Sequence, residues 1–153
     1  MEWMTALLET NTPSSALLIE ITESLLMDAD EKVSQKLFQF RQAGVSIALD
    51  DFGTGFSSIS YLKKFPTDYI KIDRSFVNSM TEVSNDKILC EAIIVMAKKL
   101  GIQVVAEGIE TSEQLNILKN MGCEYGQGYY FSKPVSKSQF ESILMNQSEE
   151  KKS

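Results

Sequence analysis

Five short apolar runs, each followed by a stretch of helical periodicity, decide most of what this chain can fold into. The runs are residues 17–21, 45–49, 69–72, 103–106 and, weaker for its glycines, 125–129. Val33, Leu37 and Phe40 recur at helical spacing ahead of Gly44, and Ile88, Ala92, Val95 and Met96 do so ahead of Gly101. A short helix is expected over residues 58–63, closed by Pro66. Thr111 and Gln114 are spaced as a capping box opening a helix to Met121, with Gly122 as its stop. Ser136 and Gln139 open another that carries Phe140, Ile143 and Leu144. Strands alternating with helices in this way argue for a parallel α/β sheet. The strands read as apolar on both faces. Two architectures satisfy the pattern, an open doubly wound sheet and part of a (β/α)8 barrel, and periodicity alone does not separate them. With 153 residues the chain makes one domain or a large piece of one.

What ends each run is polar. Residues 17–19 lead into Glu20, residues 45–49 into Asp50 and Asp51, and Tyr69-Ile70 into Lys71, with Asp73 just beyond. Residues 103–106 lead into Glu107, and Tyr125-Gly126 into Gln127. In parallel α/β folds the carboxyl ends of the strands converge on one face, where active sites sit. Carboxylates gathered there need a cation, and an all-oxygen set suits Mg²⁺ or Mn²⁺. A pair of such ions can activate water and neutralise a phosphate. Any one of these residues has a plainer explanation: an Asp after a strand commonly forms a turn or caps a helix, and Lys71 can snorkel to the surface. Asp51-Phe52-Gly53 mimics a kinase triplet, but no His-Arg-Asp loop precedes it. The conjunction of five strand ends is far less easily accidental.

Composition narrows the chemistry. The chain has no histidine, which excludes Ser-His-Asp and Cys-His machinery and His-ligated zinc. Cys90 and Cys123 form no CxxC and suggest neither a disulfide framework nor a zinc knuckle; a reducing cytoplasm fits. A net charge of -6 disfavours coating DNA or RNA. The stretch Met1-Glu2-Trp3-Met4 does not read as a signal-peptide pattern, and the run from Ala92 to Ala97 is too short to span a bilayer.

Five segments then carry a specific resemblance. Glu20-Ile21-Thr22-Glu23-Ser24, the stretch from Asp50-Asp51-Phe52-Gly53 to Ser58, Lys71-Ile72-Asp73-Arg74-Ser75-Phe76, Ala106-Glu107-Gly108-Ile109-Glu110 and Gly126-Gln127-Gly128-Tyr129-Tyr130-Phe131 resemble, in order, the signatures of EAL-domain cyclic di-GMP phosphodiesterases of bacteria. The resemblance runs from about Leu7 to Leu144, with Phe56 where the family often has Tyr. It implies an incomplete (β/α)8 TIM-type barrel of about five parallel strand-helix units. The metal ligands it implies are Glu20, Asp50, Asp51 and Glu107, holding two Mg²⁺ or Mn²⁺ ions with Asp50 shared. Lys71, Glu107 and Gln127 become the catalytic residues. Glu23 would anchor the loop after Asp51, with Glu110 and Asp73 as supporting residues. The implied reaction is hydrolysis of cyclic di-GMP to linear pGpG.

The family's Glu-Ala-Leu segment, its following Arg and an Asn ligand do not occur in the sequence. A full barrel needs about 250 residues. Residues 1–145 are therefore expected to be the C-terminal part of an EAL domain and residues 146–153 a polar, frayed tail. The chain alone is expected to be inactive and to self-associate, in the cytoplasm, with a parent protein that is open to membrane anchoring through other domains. The rival reading is a non-catalytic EAL module that binds cyclic di-GMP or a partner protein.

Overall fold

A computed structural model describes residues 12–27, 31–54, 62, 64–81 and 83–150, with the side chains of 146–150 excepted. Five strands form one sheet: β1 (Leu18–Thr22), β2 (Ser46–Phe52), β3 (Tyr69–Ile72), β4 (Gln103–Ala106) and β5 (Tyr125–Gly126). The helices are α1 (Glu23–Met27), α2 (Glu31–Gln42), α3 (Arg74–Asn78), α4 (Asn85–Leu100), α5 (Ser112–Met121) and α6 (Lys137–Glu150), with a 3-10 turn at Ser14–Ala16. Among the described residues no helix is long and apolar enough to cross a membrane.

All four strand pairings are parallel and the order is β1-β2-β3-β4-β5. This order decides between the two architectures left open above. A doubly wound sheet reverses its strand order at a switch point, whereas a barrel adds each strand beside the last. Here every strand lies beside its predecessor, so the five units follow the barrel progression.

The sheet has two unlike faces. Leu18 pairs with Ser46, Ala48 with Tyr69, and Tyr69 with Gln103, and side chains alternate along each strand. One face therefore carries Ile21, Ile47, Leu49, Ile70, Ile72, Val104 and Ala106, each at most 5% exposed. The helices lie against it, with α2 on β2 and α4 on β3 and β4. Ile94, Ala97 and Cys90 of α4 and Ile117 and Leu118 of α5 complete this core. The other face carries Glu20, Ser46, Ala48, Asp50, Tyr69, Lys71, Gln103, Val105 and Tyr125 and is mixed in polarity. The expectation of strands apolar on both faces holds for the helix side alone.

Three boundaries differ from the sequence reading. β2 continues through Asp50 and Asp51 to Phe52, because its register shifts between Leu49 and Phe52 and absorbs both acids into the strand. β5 stops at Gly126, where Gly128 approaches the neighbouring backbone too closely for a side chain: a Cβ there would stand 2.1 Å from the Ile109 carbonyl oxygen. α6 runs to Glu150, since no glycine or proline interrupts it, so residues 146–150 are helical instead of frayed. The short helix expected over 58–63 falls mostly outside the described residues; Leu62, the one described residue within it, is helical and buried. The helix caps are as expected. Thr111 and Gln114 form the full capping box, and Gly101 and Gly122 end their helices in the left-handed conformation.

Both cysteines are free. Burial pushes the Cys90 thiol up to about 12 and the Cys123 thiol up to about 11, so neither is a thiolate at neutral pH.

Ile70 sits at the centre of the middle strand with no exposed surface. Ile70→Ala is expected to lower the unfolding free energy by about 2–5 kcal/mol. Urea denaturation followed by circular dichroism measures this, and a cost below about 1 kcal/mol would mean that the helix-facing side is not the principal core.

Candidate functional site

The polar face of the sheet gains its chemistry at the carboxyl ends of the strands. Thr22 is level with Asp50, Lys71 with Val105, and Val105 with Tyr125. Counting two residues on from these pairs brings Glu107 and Gln127 to the same face, just past β4 and β5. Backbone bonds continue the ladder there: Glu107 donates to the Ile72 carbonyl at 3.1 Å and Gln127 to the Ala106 carbonyl at 2.9 Å.

Lys71 is the centre of the arrangement. Its ammonium lies 2.7 Å from Glu20 Oε1, 3.0 Å from Asp50 Oδ1 and 2.7 Å from Glu107 Oε1. Its side chain is only 8% exposed. Burial works against the ammonium, but hydrogen bonds to Glu107, Glu20 and Asp50 outweigh it, and the Lys71 pKa is raised. Lys71 is therefore fully charged at neutral pH. Glu107 has a second partner: Gln127 Nε2 donates to the same Oε1 at 2.9 Å. A lysine and a glutamine from β3 and the end of β5 thus hold one carboxylate from the end of β4.

The remaining predicted residues are placed differently. Asp51 is exposed and takes no part in the Lys71 ion pairs among the described residues. It sits at φ 54, a left-handed conformation that costs a non-glycine residue of order 1 kcal/mol. Its carbonyl accepts from Thr54 N and Oγ1 at 3.3 and 2.8 Å. Asp51 lies where the register of β2 shifts against β3, between Leu49 and Phe52. Glu23 is buried, 6% exposed, at the start of α1; most of the loop it was expected to anchor lies outside the described residues. Asp73 caps α3 and accepts from Ser75 N at 3.0 Å. Partial burial acts to raise its pKa, but the bonds from Ser75 outweigh it and hold the carboxyl below its ordinary value. Glu110 is exposed at the rim of a cleft of about 560 Å³ that opens beside Glu107 and Gln127. Arg74, Lys133 and Phe140 also line this cleft. The sequence reading assigned no role to these three. Arg74 stands inside a motif that was quoted for its neighbours, whereas Lys133 and Phe140 carry no local signal.

The donor chemistry of this site fits a hard divalent cation. Glu20, Asp50 and Glu107 offer oxygen alone and already converge on a positive charge. Among the described residues no three carboxylates form a metal-holding group by themselves; the ammonium is what they share. Of this cluster Glu107, with its partner Gln127, reaches the cleft, which has two basic side chains at its wall and so suits an anionic ligand.

The EAL domain family matches residues 1–134. A cyclic di-GMP phosphodiesterase of Pseudomonas aeruginosa, NbdA, is 44% identical over 128 residues, which is 84% of this chain and 16% of that protein. The chain thus spans about a sixth of that relative's length. The PaMucR phosphodiesterase in complex with c-di-GMP superposes with a TM-score of 0.84 at 38% identity, over 90% of this chain and 56% of the solved one. BlrP1 of Klebsiella pneumoniae, solved with manganese and cyclic di-GMP, superposes with a TM-score of 0.80 at 34% identity, over 86% of this chain and 34% of the other.

Because the folded pKa of Lys71 is raised, its ion pairs stabilise the fold fully below its ordinary value of 10.5 and are lost as pH rises through the folded value. Lys71→Met is expected to cost about 2–3 kcal/mol at pH 7.5, since it leaves three carboxylates facing one another. The wild type should lose stability above about pH 10.5 more steeply than the variant. Urea melts of both proteins at pH 7.5 and 11 check this, and parallel pH dependences would refute it.

Proposed function

Since the chain belongs to the EAL domain family, we propose that it is the C-terminal part of an EAL domain whose parent protein hydrolyses one phosphodiester of cyclic di-GMP to give linear pGpG, and that the chain alone is inactive. The observation that carries this reading is the gathering of Glu20, Asp50 and Glu107 on the buried ammonium of Lys71, with Gln127 fixing Glu107 from the side. A structural ion pair needs one acid. Three acids drawn from β1, β2 and the end of β4, with Glu107 and Gln127 reaching the wall of an open cleft, make a charged site suited to a ligand.

Glu20, Asp50 and Glu107, joined by Asp51, would hold Mg²⁺ or Mn²⁺. Bound there, such ions neutralise phosphate charge and acidify water. The chain's own residues then have distinct tasks. Lys71, permanently charged, holds the water or a phosphate oxygen by hydrogen bonding. Gln127 keeps Glu107 turned toward Lys71. Arg74 and Lys133 offer positive charge to the phosphates from the cleft wall. The water oxygen joins phosphorus, the bond to one ribose 3′ oxygen breaks, and that oxygen leaves with a proton. Glu23, Glu110 and Asp73 support the loops that carry these groups. The rival reading, a non-catalytic receptor for cyclic di-GMP, is disfavoured because a binding module has no need of the acids and the lysine, and Glu20, Asp50, Asp51, Glu107 and Lys71, the ones this stretch can carry, are present.

Two measurements test the proposal. Titration calorimetry with Mn²⁺ is expected to show binding by the wild type and at least about a tenfold loss in Asp50→Asn, because Asp50 would serve both ions. Equal binding by the two proteins sinks the metal site. In a preparation that converts cyclic di-GMP to pGpG, separated by chromatography, Glu107→Ala is expected to lower the rate by about 100-fold or more. An unchanged rate would remove Glu107 from the mechanism.

We further propose that the chain self-associates. Leu18 at the β1 edge and Tyr125, Tyr129 and Phe131 around the β5 edge are 44–59% exposed, and both edge strands lack an outer partner among the described residues. Light scattering is expected to give a dimer in the micromolar range; a monomer throughout would contradict this.

A further inference from the structure

Gln114 does more than its sequence pattern requires. The capping box needs its side-chain oxygen to accept from the Thr111 amide, and it does so at 3.0 Å. The same oxygen also accepts from the Glu110 amide at 2.8 Å. The side-chain nitrogen then donates to the Val77 carbonyl at 3.1 Å, in α3 and 37 residues back along the chain. Gln114 is only 8% exposed, so none of these bonds is readily exchanged for water. The orientation of the amide is fixed by its partners, two N–H donors on one side and a carbonyl on the other.

The two segments joined by this side chain are the ones that deliver the site. α3 follows directly on Lys71, Ile72 and Asp73, and the segment ending in Glu110 begins at Glu107. Their backbones also touch: a Cβ on Gly108 would stand 2.5 Å from Arg74 Cβ, so only glycine allows the approach. On its far side the same segment is tied to the end of β5. Ile109 donates to the Gln127 carbonyl at 3.1 Å and accepts from Tyr130 at 2.9 Å. Hydrogen bonds thus connect the segments after β3, β4 and β5: the Glu107 amide bonds directly to Ile72 of β3, and Gln114 adds a second tie, to α3.

We propose that Gln114 is a positioning residue that sets Glu107 against Lys71, and through Glu107 fixes where Gln127 meets it. The chemistry distinguishes this from capping. A glutamate at this place in a capping box accepts the amide bonds as well as a glutamine does. Only the amide can also donate to Val77. The proposal rests on the reading of Glu107 and Lys71 as site residues.

Gln114→Glu at pH 8 therefore keeps the cap and cuts the link, whereas Thr111→Ala weakens the cap and keeps the link. Two readouts follow the site by NMR: the side-chain amide resonance of Gln127, whose Nε2 donates to Glu107, and hydrogen exchange at the Glu107 amide. Gln114→Glu is expected to shift the first and to speed the second by about tenfold, as loss of one net hydrogen bond implies. Thr111→Ala is expected to lower Tm and leave both readouts at their wild-type values. Gln114→Met, which buries no charge, serves in place of the glutamate variant should that one not fold, with the same expected shifts. Wild-type readouts in the folded Gln114 variant, or equal changes in Thr111→Ala, overturn the proposal. Neither readout needs a metal ion or cyclic di-GMP, so this result stands apart from the calorimetric and turnover tests of the activity.

Discussion

A buried ammonium is the constraint from which the rest of this structure follows. Lys71 sits on a central strand with its side chain 8% exposed, and an unpaired charge there would cost several kcal/mol or be lost by deprotonation. Three carboxylates remove that cost, and none of them belongs to the same strand as Lys71. The strand register is thereby fixed from both sides. The helix-facing face must keep Ile70 and Ile72 covered, and the opposite face must keep Glu20, Asp50 and Glu107 within reach of one nitrogen. A slip of one residue in any strand would send its acid into the apolar layer.

Around that centre the chain spends conformational freedom locally. Asp51 holds a left-handed backbone angle where the register of β2 shifts against β3. Gly108 and Gly128 let neighbouring backbones meet closer than any side chain allows. These are features of a rigid strand-end layer, in which the loops after three strands brace one another. The helices beneath are ordinary by comparison: apolar stripes, sequence-local caps and glycine stops.

Much of this was legible in the residues. Apolar runs interrupted by helical periodicity specify a parallel sheet, and the charged residues terminating them gather on one face of it. Both follow from short-range rules that any window of the chain displays. Glu20, Asp50, Lys71, Glu107 and Gln127 were found in this way, and the structure brings all five together. What the sequence did not display was relational. The bulge that extends β2 depends on pairing with β3 across a shifted register. Asp73 stood out because it follows a strand by one position, but the sequence did not show that its carboxylate is engaged by Ser75 in opening a helix. Gln114 read as a cap, since its bond to Val77 joins residues far apart in the chain. The polar character of one sheet face was hidden too, because Ala48 and Val105 alternate with the charges and make the strands look apolar throughout.

The simple strand order has a consequence for how such a layer is built. Paired residues lie between 20 positions apart, as in Val105 with Tyr125, and 34 apart, as in Tyr69 with Gln103. Loop closure over such spans differs by only a few tenths of a kcal/mol, so no pairing is much dearer than the next. For the site the same order sets how far its parts must reach. Glu20 lies two strands from Lys71, Asp50 one strand away, and Glu107 just past the next strand on the other side. The buried ammonium thus meets all three of its counter-charges within two strands of its own, and none has to be carried in from a distant part of the sheet.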